Sequence, residues 1–248
     1  MSQFKIEPIA GTLEQGQIAF TNSSIWMLLT LALVWLFMIG GMKRELVPGR
    51  WQLAVESVTG FIDNMLTSNI GPAGKKYVPY IFTIFIFILF ANLLGLLPIG
   101  FTGIHPFTVT SHILITGVMA VMSFSIVLAV GFWKHKLKFF TLFVPHGTPL
   151  PMVPLLFVIE LVSFMVRPFS LALRLFIAMT AGHVLLKVFA SFVISGINAG
   201  PEIGLLVAVP SFLLMLFVSA LELLICAIQA YVFALLSALY INDAENLH

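Results

Sequence analysis

Charged residues are scarce in this chain of 248 residues, and cysteine is almost absent. Only 9% of the residues are charged, whereas soluble domains carry about 25%. With 60% hydrophobic residues, the chain cannot cover a water-facing surface, which excludes an ordinary soluble domain. A net charge of +2 excludes the basic footprint of a nucleic-acid binder. The single cysteine, Cys226, excludes a disulfide framework and a thiolate zinc cluster.

Apolar runs long enough to cross a membrane fill much of the remaining sequence. Because about 20 apolar residues cross the hydrocarbon core as a helix, residues 25–42, 78–97 and 111–133 are predicted spans. Residues 50–67 mix charged and apolar residues at helical spacing, which predicts an amphipathic helix on the membrane surface. Helices satisfy their own backbone hydrogen bonds in lipid. We therefore expect an all-α polytopic membrane protein with a single membrane domain over 1–248.

Two further apolar segments, 155–195 and 202–241, are about twice the length that a perpendicular span needs. Each is either two spans with a tight turn or one long helix. The single prolines Pro168 and Pro210 favour long helices, because a lone proline kinks membrane helices more often than it ends them. We expect a hairpin of two long, strongly tilted helices, and about five crossings in all.

Lysines and arginines of the short loops indicate the orientation, because cytoplasmic loops carry an excess of them. The segment 1–24, which is expected on the outer side, contains one basic residue, Lys5. Its polar start predicts no cleavable signal peptide. The N-terminus is therefore expected outside and the C-terminus in the cytoplasm or matrix. The basic residues that mark the inner side are Lys43, Arg44, Arg50, Lys75, Lys76, Lys134, Lys136 and Lys138.

The long pair contains ionisable residues at regular intervals. Glu160, Arg167 and Arg174 follow at seven-residue steps, which return to nearly the same direction and form one stripe. His183 faces a different neighbour. Pairing the helices about the 196–201 loop places Arg174 opposite 223–229 and His183 opposite 214–220. This pairing predicts a polar cluster around Arg174, bracketed by two residues of the last helix, Glu222 and Gln229.

The residue types around Arg174 suggest proton chemistry. Arginine stays protonated at any accessible pH, so it can hold a carboxylate ionised or block a positive carrier. Histidine and glutamate can exchange protons. On the face of Arg174, the small residues Ser170, Ala178 and Ala181 favour close approach of a partner helix.

Several of these polar residues also have structural interpretations. Arg167 and Lys187 are expected to snorkel toward the headgroups. Glu160 could cap or flank its helix, His183 could be a hydrogen-bonded core residue, and Asn92 could simply join helices. The histidines lack the i, i+4 spacing of metal ligands, so we expect no metal.

Three motifs resemble one family. Residues 170–183, SLALRLFIAMTAGH, resemble the signature of subunit a of the F-type ATP synthase. Residues 92–98, NLLGLLP, and 221–233, LELLICAIQAYVF, resemble its other motifs, in the same order and spacing. The His and Glu pairing is similar to that of the alphaproteobacterial and mitochondrial branch. Ala178 stands where the family usually has Asn, so no role is assigned to it.

The resemblance implies roles for the polar residues. Arg174 aligns with the arginine that meets the carboxylate of the rotating c ring, and Gln229 with a glutamine nearby. Glu222 and His183 align with the outer half-channel, and Glu160 with the inner one. Asn92 and Ser170 lie within the motifs as supporting polar residues.

The resemblance also implies partners and a place in the cell. The chain would be a stator subunit that couples proton passage to ring rotation and ATP synthesis, without cofactor or catalysis of its own. Its expected partners are the c-subunit ring, b-type subunits of the peripheral stalk, the rest of the complex and membrane lipid, but no nucleic acid. It would lie in the bacterial cell inner membrane or the mitochondrial inner membrane. A free-standing proton-coupled transporter would show internal repeats, which the sequence lacks, and an intramembrane protease would need a paired nucleophile and base.

Overall fold

Six α-helices form most of the computed structural model, which describes residues 22–41, 49–97, 108–144, 150–198 and 201–245. The helices are α1 Asn22–Gly41, α2 Arg50–Ile70, α3 Val78–Leu96, α4 Ile113–His135, α5 Val153–Asn198 and α6 Pro201–Glu245. No β-strand occurs within these ranges. Three basic residues used to predict the orientation, Lys5, Lys43 and Arg44, lie outside the described residues.

Five of the described helices are long and apolar enough to cross a membrane: α1, α3 with the 3-10 turn before it, α4, α5 and α6. This confirms the expected all-α polytopic fold. The other helix, α2, buries one stripe at helical spacing, including Val55, Ile62, Leu66 and Ile70. That stripe contacts α1, α3 and α6, so α2 packs on the bundle through its apolar face.

The two long segments are each one continuous helix, as expected. α5 has 46 residues and passes through Pro168, and α6 has 45 residues and passes through Pro210. At 1.5 Å per residue each helix is nearly 70 Å long, more than twice the roughly 30 Å of the hydrocarbon core. Such helices fit a bilayer only if they are strongly tilted or extend beyond it.

The hairpin between α5 and α6 is tightly packed near its turn. A Cβ added at Gly196 would lie 2.9 Å from the backbone nitrogen of Ala208 and 3.0 Å from the carbonyl oxygen of Gly204. A side chain at position 196 would therefore separate the two backbones. The first turns of α6 therefore pack directly against the end of α5. The two helices also contact each other farther from the turn.

One carboxylate joins three helix ends. Glu245 at the end of α6 accepts hydrogen bonds from Lys76 Nζ at 2.8 Å, Lys134 Nζ at 2.9 Å and the Tyr77 hydroxyl at 2.6 Å. The beginning of α3 and the ends of α4 and α6 therefore lie at the same end of the bundle. Both lysines were expected on one side of the membrane, and they do lie together.

Candidate functional site

Arg174 lies on an exposed face of α5 and has no ion pair or hydrogen bond with any residue that the structure describes. One turn before Arg174, the half-buried Ser170 donates its hydroxyl hydrogen to the backbone carbonyl of Arg167 at 2.9 Å. That hydrogen is therefore not directed at the Arg174 side chain. One turn after Arg174 is the half-buried Ala178. Arg174 is thus a permanent cation with small residues one turn away on each side, on a face that the described part of the chain leaves exposed.

His183 and Glu222 meet where α5 and α6 pack. The Nδ1 atom of His183 lies 3.6 Å from Oε1 of Glu222, and the two residues are only 5% and 1% exposed. Gly182 makes the approach possible, because a Cβ there would lie 2.6 Å from the same carboxylate oxygen. Two groups that can exchange protons therefore form a buried pair.

This pairing corrects the expected register of the hairpin. Glu222 was expected to bracket Arg174, but it lies level with His183. Farther along the hairpin, Cys226 contacts Met179 and Asp243 contacts Arg167. The His183–Glu222 and Met179–Cys226 contacts share one register, slightly beyond the expected one, and the long side chain of Arg167 reaches farther along α6 to Asp243. The predicted polar cluster around Arg174 does not form: Gln229 is half-buried on α6 and no hydrogen bond joins it to Arg174 in the described ranges.

A cavity of about 660 Å³ reaches His183. Its walls come from the end of α3, from α5 and from α6, and they include Lys187 and Ser219. Lys187 thus lines an opening within the bundle, one turn from the histidine. The cavity gives the buried pair a route toward the end of the bundle that contains the α5–α6 turn.

Residues 108–111, just before α4, pack against the same histidine, His183. The Thr108 hydroxyl lies 2.7 Å from Nε2 of His183. Asn92, fully buried on α3, accepts a hydrogen bond from Thr110 at 2.7 Å and donates a longer one of 3.4 Å to the carbonyl of Cys226. Asn92 therefore links α3 to this segment and to α6, which agrees with the expectation that it could simply join helices.

A second polar cluster lies on the other side of Arg174. Arg167 donates to Asp243 at 2.7 Å and its guanidinium lies 3.9 Å from Glu160. Its charge also lies over the rings of Phe164 and Tyr240, at 5.5 and 5.1 Å. Carboxylates on both long helices therefore hold Arg167 in place, and its snorkelling toward the headgroups stays a prediction.

Sequence reasoning missed two members of these clusters. Asp243 was placed beyond the last span, and no pattern in the sequence connects it to Arg167. Thr108 lies in a loop between predicted spans, and no pattern in the sequence connects it to His183. Arg174 itself stands between the two clusters, about 14 Å along the helix from His183 and about 11 Å from Arg167 at 1.5 Å per residue.

Comparison with known proteins gives consistent matches over the whole chain. The family described as ATP synthase A chain matches residues 24–242. A protein named ATP synthase subunit a from Erythrobacter litoralis is 68% identical over 252 residues, covering 100% of this chain and 96% of the relative. Proteins of the same name from Rhizorhabdus wittichii and Rhodospirillum rubrum are 64% and 44% identical, each covering 100% of this chain and 96% and 98% of the relative.

Proposed function

Because this chain belongs to the ATP synthase A chain family, we propose that the two polar clusters flanking Arg174 are the ends of two separate proton half-channels. The chain is a stator subunit of the membrane sector of the ATP synthase. Its full-length relatives carry the name of a subunit of that complex, so a free-standing proton-coupled transporter is not favoured. We propose that the chain performs no bond chemistry and that ATP is made elsewhere in the complex.

The exposed position of Arg174 carries the proposal. A charged side chain in the bilayer costs at least ~2.5–3.5 kcal/mol on insertion scales, and a partner of opposite charge offsets that cost. The described part of the chain provides no such partner for Arg174. We propose that the partner is a carboxylate on the c ring, which the small neighbours of Arg174 allow to come close.

The outer half-channel would consist of the cavity of about 660 Å³ and the buried pair at its inner end. Protons would enter through the cavity, reach His183 and Glu222, and pass to a ring carboxylate. Both side chains can accept and release a proton, and Arg174 cannot. This difference makes the pair the conducting element and the arginine the barrier.

The inner half-channel would begin at the cluster of Glu160, Arg167 and Asp243. Both carboxylates are partly exposed, at 41% and 36% of their side-chain surface, so water can reach them. Arg167 holds them close together by charge. A proton leaving the ring would pass to these carboxylates and then to the cytoplasm or matrix.

The full cycle follows from the cost of burying charge. A ring carboxylate that has been neutralised from the outer half-channel can rotate into lipid, whereas an ionised one cannot. After a nearly full turn it would lose its proton at the inner half-channel. Arg174 would favour the ionised form as it passes and prevent a direct leak. The membrane potential supplies about 2.3 kcal/mol per proton per 100 mV.

The partners and membrane follow from the same proposal. The c ring would lie against the α5–α6 face, and b-type subunits of the peripheral stalk would hold the chain still against rotation. The bacterial relatives favour the cell inner membrane. The N-terminus would then face outward, and the Glu245 end of the bundle, where Lys76 and Lys134 gather, would face the cytoplasm.

Cross-linking tests whether the face of Arg174 meets the ring. Ile177 lies three residues from Arg174 and is 55% exposed, so Ile177→Cys should form a disulfide with a cysteine placed next to the ring carboxylate. The matched control is Met122→Cys on α4, which is 59% exposed and should not cross-link. Cross-linking from position 122 but not from 177 would contradict the proposed ring face.

A further inference from the structure

Thr108 contacts the one nitrogen of His183 that does not face Glu222. The Thr108 hydroxyl is 2.7 Å from Nε2, while Nδ1 points to the Glu222 carboxylate at 3.6 Å. Thr108 is 3% exposed, so bulk water does not compete for this contact. The threonine, the imidazole and the carboxylate thus form a buried chain of three groups.

A neutral imidazole carries its proton on one nitrogen only, and the partner of the other nitrogen sets which one. When the Thr108 hydroxyl donates to Nε2, the ring hydrogen must be on Nδ1, where it points at Glu222. In the opposite tautomer, Nδ1 would direct a lone pair at the carboxylate and could pass no proton to it. The Thr108 hydroxyl can donate or accept, whereas an ionised Glu222 carboxylate can only accept. The carboxylate therefore favours the ring hydrogen on Nδ1, and Thr108 stabilises that tautomer by donating to Nε2.

The backbone around Thr108 holds its hydroxyl in place. The Ser111 hydroxyl and backbone N–H both donate to the carbonyl of Thr108, at 2.6 and 3.1 Å. Thr110 next to it is anchored to Asn92 on α3. A hydroxyl whose backbone is anchored by the two residues Thr110 and Ser111 can hold the orientation of the histidine rather than follow it.

We infer that Thr108 is a positioning residue of the proposed outer half-channel, where it fixes the tautomer and orientation of His183 toward Glu222. This inference rests on the proposed function of His183 and Glu222. The ionisable groups that surround the imidazole in the described structure are Glu222 from α6 and Lys187 from its own helix. Thr108 adds no charge to this group, so its influence comes from hydrogen bonding alone.

The test replaces the hydroxyl while preserving the shape. Thr108→Val should reduce proton-driven ATP synthesis in membranes containing the whole complex by roughly two- to ten-fold, the effect of one lost hydrogen bond. Thr108→Ser should restore most of the rate. The matched control is Thr116→Val: Thr116 is also buried, and its hydroxyl contacts only carbonyl oxygens of its own helix start. That variant should leave the rate unchanged.

Further readouts separate positioning from a structural role. Because Thr108 acts through His183, adding Thr108→Val to His183→Gln should slow synthesis no further, and Thr108→Val alone should shift the dependence of the rate on outer pH. A full additional loss in the double variant, or a Ser variant as slow as the Val variant, would overturn the inference. If Thr108→Val prevents assembly, Thr108→Ala and Thr108→Ser are compared instead, and equal rates in those two would overturn it.

The same variants distinguish a failure of the inference about Thr108 from a failure of the proposed role of His183 in the outer half-channel. If His183→Gln is slow and Thr108→Val is as fast as the unaltered complex, the inference fails and the outer half-channel stands. If His183→Gln is itself as fast as the unaltered complex, the proposed role of His183 fails, and that of Thr108 fails with it.

Discussion

Two arginines seven residues apart on α5 have very different surroundings. Arg167 donates to Asp243 at 2.7 Å and lies near Glu160, so its charge is neutralised within the chain. Arg174 has no such partner in the described ranges. The charge of a paired arginine is balanced within the chain, whereas an unpaired arginine in the membrane attracts a carboxylate from elsewhere. The ion pairs of Arg167 therefore distinguish it from Arg174, whose charge is available to a partner outside the chain.

Sequence reasoning found the ionisable residues of the long helices because charge is rare there. Arg174, His183 and Glu222 stand out in apolar segments, and the side chains of the last two lie 3.6 Å apart. Thr108 could not be found in this way, because a hydroxyl in a loop is common and its partner is far along the chain. Asp243 was missed because a charge just past an apolar run is typical of a tail.

Replacement of Glu222 tests the buried pair at the level of one residue. Glu222→Gln keeps the size of the side chain but removes the proton exchange, so proton flux through the complex should fall by at least about 10-fold. Glu56→Gln is the matched control, since Glu56 is exposed on α2 and should tolerate the change. Gly182→Ala should also slow flux, because the new Cβ would lie 2.6 Å from the Glu222 carboxylate oxygen. Unchanged flux in Glu222→Gln would leave Glu222 with a structural role only.

At the scale of helices, the close packing at the α5–α6 turn fixes how the long pair lies together. The lengths of both helices could be predicted from uninterrupted apolar sequence. Their register could not, because it depends on the crossing angle and on the contact of Gly196 with Ala208 and Gly204. A displacement of a few residues was enough to bring Glu222 level with His183 instead of Arg174.

Added volume at this turn should separate the helices. Gly196→Ala places a Cβ against the backbone of α6 and should destabilise the protein by about 1–3 kcal/mol, as overpacking does. Thermal unfolding of the detergent-solubilised complex would measure the loss. Gly60→Ala is the control, because a Cβ at position 60 meets nothing within 4 Å and should be neutral or stabilising. A Gly196→Ala variant as stable as the control would mean that the turn tolerates a wider separation.

At the scale of the whole molecule, three groups of ionisable residues stand out among the residues that the structure describes. One joins the helix ends around Glu245, one surrounds Arg167, and one contains His183 and Glu222 beside the cavity. Between the last two, Arg174 lies on an exposed face of α5 and forms no ion pair with a described residue. The helical, polytopic class could be predicted from composition. The separation of the polar groups could not, because it depends on which helices pack together.

The central claim is that Arg174 both holds the ring carboxylate ionised and separates two proton paths. Proton-driven ATP synthesis measured with Arg174→Ala, in membranes containing the whole assembled complex, tests it most directly. Without the cation, the ring carboxylate has no partner at the crossing between the paths, so coupled synthesis should be lost and passive proton leak should rise. The matched control, Arg50→Ala, removes an exposed arginine at the start of α2 and should leave synthesis intact. Coupled synthesis retained in Arg174→Ala would contradict the account.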